Sequence, residues 1–182
     1  MGPIARRYFF KNSFDGSMTL LGIVVGSWIA GVSSPWVIVA AGLGASLAMG
    51  VSGLFGAYMT ERAERERSLK ELEESMLTDL NDSIHGDASN FVSVFAALVD
   101  GLSPALTAVV SIFPFILSMM GLLVIRDAYV LSLTLTQVIL FLLGLYLGKT
   151  AKANFLKRLL YGAGMVVAGL LVAAVVLLIG GT

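Results

Sequence analysis

The chain has 182 residues, of which 57% are hydrophobic and 13% charged, with 12 basic and 12 acidic residues and a mean hydropathy of +0.90. Soluble domains carry about 25% charged residues, so this composition excludes a water-soluble globule and makes lipid the expected solvent for most of the surface. The zero net charge leaves no footprint for nucleic acid, and the absence of cysteine excludes disulfide scaffolds, thiolate metal sites and cysteine nucleophiles.

A crossing of the hydrocarbon core needs roughly 20 apolar residues. Basic residues precede the first apolar run, as in a signal peptide, but the run is too long and no small-residue cleavage site closes it, so it is read as a retained first span. In chain order the predicted spans cover about residues 16–32, 36–59, 102–125, 128–148 and 159–180. Ser33-Ser34-Pro35 makes the first turn, residues from 91 onward form an interfacial approach helix, Arg126-Asp127 makes a polar turn, and residues 149–158 form a basic loop. The expected fold is an all-α integral membrane protein of about five transmembrane helices. It divides into residues 1–59 with the first two spans, a cytoplasmic helical insert at 60–90, and residues 91–182 with the approach helix and the last three spans.

The cations set the orientation. Arg6, Arg7 and Lys11 precede span one, Arg62, Arg65, Arg67 and Lys70 follow span two, and Lys149, Lys152, Lys157 and Arg158 follow span four. Five spans put all of these on one side and leave only Arg126 on the other. Basic loops mark the cytoplasm, so the N-terminus is predicted inside and the C-terminus outside. Small residues stud the first two spans: Gly22 and Gly26 form a GxxxG pair, and Ser46, Gly50, Gly53 and Gly56 follow. Such spacing allows close helix approach in lipid, and packing within the chain is its expected use.

The insert holds nine of the 12 carboxylates, between Glu61 and Asp87. Residues 60–80 contain no proline or glycine and are rich in helix formers, so they are predicted to continue span two into the cytoplasm. Glu61 and Glu64, and likewise Glu71 and Glu74, are three apart and share a helix face. Interleaved basic residues make a solvated helix with i,i+4 pairs such as Glu66–Lys70 the ordinary expectation. The sharper one is a divalent-cation site, since hard cations take oxygen ligands, with Asp79, Asp82 and the chain's single histidine, His85, just downstream.

Two carboxylates lie at span boundaries, where charge is costly and often functional. Asp100 is read as capping the start of span three, ahead of Gly101 and Ser103-Pro104. Asp15, at the start of span one, is read as functional no less than as interfacial. Met18 and Met49 offer soft thioethers suited to transition metals, although most membrane methionines serve packing.

The run from Ser13 to Gly26, with Asp15-Gly16, resembles the opening Asp-Gly span of the vacuolar iron transporter family. Ala48-Met49-Gly50 and the acidic helix after it look like that family's second span and its continuation. Gly101 to Phe115 with Pro114, and Gly148-Lys149-Thr150 through Ile179, resemble its third span, basic loop and last span. The resemblance implies a proton-coupled exporter of Fe2+, and often Mn2+, working as a homodimer with the ion path at its interface. It implies a path through Asp15 and Met49, with Met18 nearby, and metal collected on Glu71 and Glu74, then Asp82 and His85. Another alignment of the insert favours Glu64. The insert is shorter than the family's metal-binding domain and lacks its Met- and Glu-bearing segment before span three.

Three functions follow as expectations. The first is a divalent transition-metal transporter with no permanent cofactor and no enzymatic activity, in which Asp15 binds the cation and exchanges it for protons. The second is a membrane scaffold whose acidic helix binds a partner protein. The third, a membrane di-iron oxidase, wants Glu-x-x-His motifs on two helices, which a single histidine does not supply. The compact length and the lack of a eukaryotic-looking targeting tail point to a prokaryotic plasma membrane.

Overall fold

The computed structural model describes residues 3–76 and 84–180, with side chains at 4–75 and 93–180. Five helices follow in order: α1 (Pro3–Ile29), α2 (Pro35–Met76), α3 (Ile84–Met119), α4 (Ile125–Thr150) and α5 (Phe155–Gly180). There are no strands among the described residues. Four helical stretches are long and apolar enough to cross a membrane: Pro35–Ser75, Ser93–Met119, Ile125–Thr150 and Phe155–Gly180. The fifth helix, α1, falls short in composition because Lys11, Asn12, Ser13, Asp15 and Ser17 lie along it. It nonetheless runs beside the others for its whole length. Phe9 meets the Tyr146 ring of α4 at 6.1 Å near one end. At the other end Ile29 lies against Gly180 of α5.

Three helices end the same way. Gly31 and Gly121 have φ of +67° and +75°, and Lys152 has 53°. In each case the next amide reaches back five residues: Val32 to the Ser27 carbonyl, Leu122 to Leu117 and Ala153 to Gly148, all at 3.0 Å. This is the left-handed Schellman cap, which satisfies carbonyls that would otherwise be orphaned. It also corrects the predicted third turn. α3 stops at Met119, Gly121 makes the reversal, and Arg126 and Asp127 lie in the first turn of α4. The apolar Leu122-Leu123-Val124 hid that break from a hydropathy reading.

α2 is a single 42-residue helix. At 1.5 Å per residue it is about 63 Å long, twice a hydrocarbon core of about 30 Å. The predicted continuation of span two is therefore present as far as Met76. α3 is also continuous, so the separate approach helix is not seen. The 36 residues from Ile84 to Met119 form one rod that contains Pro104 and Pro114.

Two apolar clusters hold the bundle. One gathers Leu20, Val24, Ile38, Ala108, Ile112, Phe115 and Tyr129 from α1 to α4. Tyr129 also donates its hydroxyl to the Val32 carbonyl at 2.8 Å. The other joins Leu21, Val25 and Leu140, with Met18, Met165 and Val172 packed against them. Outward positions are apolar as well: Leu47 is 69% exposed and Leu178 74%, as a lipid-facing surface requires.

Small residues divide by task. A Cβ on Gly50 would lie 2.9 Å from the Gly101 carbonyl oxygen, and one on Gly101 equally close to that of Gly50, so α2 and α3 touch backbone to backbone. Gly22 and Gly26, expected to pack within the chain, do not: a Cβ on either meets no atom within 4 Å. Both are half-buried, and Gly26 borders a groove between α1 and α5 with Val176 and Gly180.

Candidate functional site

α1 reaches α3 closely at one point. A Cβ on Gly16 would meet Thr107 Oγ1 at 2.7 Å and Pro104 Cα at 3.0 Å, so only glycine lets the helices sit this near. The residue before it, Asp15, is thereby placed at the rim of a cavity of ≈ 700 Å³ between α1, α2 and α3. From α1 come Tyr8, Lys11, Asn12 and Asp15, spaced as one helical stripe. From α2 come Ala48, Met49, Ser52, Gly53, Gly56, Ala57 and Thr60, a second stripe made almost wholly of small side chains. α3 contributes Asp100 and Pro104.

Asp100 is not a cap. It lies in mid-helix and is 6% exposed, with Oδ1 buried and lacking a hydrogen-bond partner. Pro104, four residues on, explains part of its setting. Proline has no N–H to donate to the carbonyl one turn back, which is the Asp100 carbonyl. Asn12 Nδ2 donates to that oxygen instead, at 3.3 Å. The same proline thus opens α3 for a bond from α1 and brings Asn12, Asp15 and Asp100 together. On the α2 side, a Cβ on Gly53 would stand 3.0 Å from Asp100 Oδ2.

The cavity lies toward one end of the bundle. Gly53 is 18 residues from the start of α2 and Asp100 is 19 from the end of α3, so they stand about 27 Å along α2 from the α1–α2 turn and about 28–29 Å along α3 from the α3–α4 turn. Arg126 lies at the far end of α4, whereas the near end carries the cations of α1, α2, α5 and the last turn of α4. There Glu61, 7% exposed, ties α1 to α2. Tyr8 donates its hydroxyl to Glu61 Oε1 at 3.0 Å, Arg7 lies 3.9 Å from the same oxygen, and Arg65 lies 3.7 Å from Oε2. Burial, then the Glu61 carboxylate, push the Tyr8 phenol up, so it stays a proton donor at neutral pH.

Of the predicted path residues, Asp15 and Met49 line the cavity. Met18 does not. It packs on the other side of α1 against the cluster of Leu21, Val25 and Leu140. The carboxylates of the projecting half of α2 do not line the cavity. Glu61 turns inward while Glu64 is exposed, so the pair divides between two environments. Glu71 and Glu74 are exposed, and Glu71 accepts from Arg67 at 3.0 Å. Glu66 pairs with Arg62 at 2.7 Å, one turn before it, and not with the expected Lys70. Among the described residues no three His, Cys, Asp or Glu side chains gather as a metal group. Asp79 and Asp82 lie outside the described residues, as does the His85 side chain.

Fold and site together define an all-helical protein of membrane-spanning composition with a carboxylate-lined cavity between three helices. The chain belongs to the same family as uncharacterized protein MJ0645 of the archaeon Methanocaldococcus jannaschii, with 33% identity over 175 residues that cover 94% of this chain and 86% of the archaeal one. No known family profile matches the chain, and no solved structure does.

Proposed function

We propose that the protein carries a divalent transition-metal cation, Fe2+ or Mn2+, out of the cytosol in exchange for protons. The observation that carries this reading is the shared cavity of Asp15 and Met49. A carboxylate supplies the hard oxygen that divalent cations prefer, and a thioether biases the site toward softer transition metals. Asn12 and Ser52 add neutral oxygens on the same walls. The small residues of α2 leave room for a partly hydrated ion. Ionisable groups at membrane depth mark ion pathways more often than structural contacts.

In this reading α1 is the fifth span, shielded from lipid by its neighbours, and the cation-rich end faces the cytoplasm. The cavity then opens on the side from which an exporter loads. The open space beside the Gly22–Gly26 pair, where an added Cβ meets no other helix, leaves room for a second copy and supports a homodimer. The likeness of the Asp15-Gly16 and Ala48-Met49-Gly50 stretches to vacuolar iron transporters supports the choice of ion. The test is flux of Fe2+, Mn2+, Zn2+ and Mg2+ into proteoliposomes, with a proton gradient imposed or collapsed. Saturable Fe2+ or Mn2+ flux that disappears in Asp15→Asn is expected. Undiminished flux in that variant would sink the mechanism.

A second reading, a scaffold that binds a partner through the projecting half of α2, is favoured by one observation. Two of the exposed carboxylates there pair with arginines one turn away, Arg62–Glu66 and Arg67–Glu71, while Glu64 and Glu74 point to solvent without an ion pair among the described residues. Replacing Glu71 and Glu74 by lysine separates the two. Partner loss with intact flux supports the scaffold role, and loss of flux supports metal collection.

A further inference from the structure

Asp100 is the carboxylate of the cavity that the function above does not use. Burying a carboxylate is costly unless partners compensate it. At Asp100 the backbone is compensated by Asn12, but Oδ1 is not. No Lys or Arg nitrogen among the described residues forms an ion pair with it. Lys11 and Asp15 are the charged groups near enough for their fields to act on it. A proline, a glycine pair and an interhelical hydrogen bond position this side chain, yet among the described residues nothing hydrogen-bonds its Oδ1.

We propose that Asp100 is a direct ligand of a divalent first-row metal cation, completing with Asp15 a two-carboxylate site whose resident counter-charge is Lys11. This deepens the transport reading and rests on it for the identity of the ion. Without a metal, two carboxylates and one ammonium leave the cavity one negative charge in excess. A divalent ion bound between Asp15 and Asp100 satisfies the unpartnered oxygen and reverses that sign. The Lys11 side chain is exposed and lies on the rim stripe of α1, so it can withdraw to water as the cation enters. Gly53 serves the site by leaving Asp100 Oδ2 open toward α2.

The experiment measures Mn2+ binding to the purified full-length protein in detergent, by titration calorimetry or by the electron paramagnetic resonance of free Mn2+. Thermal unfolding is recorded with and without the ion. Asp100→Asn should weaken binding at least tenfold and abolish the Mn2+-induced rise in melting temperature. Without Mn2+ it should melt no lower than the native protein, since a neutral amide is less costly to bury. Asp100→Glu should recover part of the affinity. Binding within twofold of native in Asp100→Asn would overturn the proposal. So would a lower melting point in that variant without metal, which would mark a structural carboxylate. If Mn2+ binding needs Asp100 but no ion crosses the bilayer, the transport reading falls and the site stands. If flux needs Asp15 while Asp100→Asn changes neither flux nor binding, transport stands and this inference falls.

Discussion

The tie between α1 and α2 at Glu61 is open to quantitative test. Its strongest element is the Tyr8 hydroxyl on Glu61 Oε1 at 3.0 Å. A hydrogen bond to a charged group contributes about 1.5–3 kcal/mol. Arg7 adds little, because its side chain is 72% exposed and 3.9 Å away, where solvent holds an ion pair to about 0–1 kcal/mol. Arg65 is 27% exposed at 3.7 Å and falls between these limits. Removing the Glu61 side chain should therefore cost on the order of 2–4 kcal/mol. A double-mutant cycle isolates the central bond. Tyr8→Phe, Glu61→Ala and the combination should show a coupling of about 1–2 kcal/mol in reversible unfolding in mild detergent. Raising the salt to 1 M should leave most of it, because Glu61 is buried. A coupling near zero, or one that vanishes in salt, would show that α1 and α2 are held by packing alone.

Tyr8 also sets an alkaline limit. Burial and the Glu61 carboxylate raise its pKa above that of a free phenol, so the folded state keeps a proton that the unfolded state releases, and stability should fall as pH rises above about 10. Tyr8→Phe should flatten that slope in a pH series of unfolding curves. Gly50→Val drives a side chain into the Gly101 carbonyl, 2.9 Å from the Cβ position, and should destabilise by about 1–3 kcal/mol. An unchanged melting curve would contradict the backbone contact. Met49→Leu keeps the volume but removes the thioether, so competition assays should show a several-fold loss of preference for Fe2+ over Mg2+ with little change in stability. Arg67→Ala cuts an exposed i,i+4 pair and should leave stability unchanged.

The helical class was legible because composition alone forces it, and the projecting half of α2 was legible because residues 60–76 hold no helix breaker. The α3–α4 turn was misplaced because its signal is a single left-handed glycine, Gly121, inside an apolar run. Asp15 stood out as a carboxylate at a span boundary, whereas Met49 was marked by the resemblance of Ala48-Met49-Gly50 to an iron-transporter span and not by its own chemistry. Asp100 was assigned to a cap because Gly101 and Pro104 look like a helix start in one dimension. In three, Gly101 is a contact with α2, and Pro104 frees a carbonyl for Asn12. Met18 was drawn in by its closeness to Asp15 in sequence, although it turns toward Leu21 and Leu140. The small-residue stripe from Ala48 to Thr60, with its spacing of four, was the overlooked sign of a cavity wall.

The length of α2 has a mechanical consequence. One unbroken rod carries the cavity wall at Met49 and Gly53 and the exposed acidic turns at Glu71 and Glu74. From Gly50 to Met76 is about 39 Å of helix, and no glycine or proline interrupts it beyond Gly56. Such a rod acts as a tiller. With its pivot at the Gly50–Gly101 contact, a tilt of about 10° sweeps the far tip by about 7 Å while shifting the wall beside Met49 and Gly53 by less than about 1 Å. Whatever grips the projecting tip, ion or protein, holds long leverage over a short, fine movement beside Asp100.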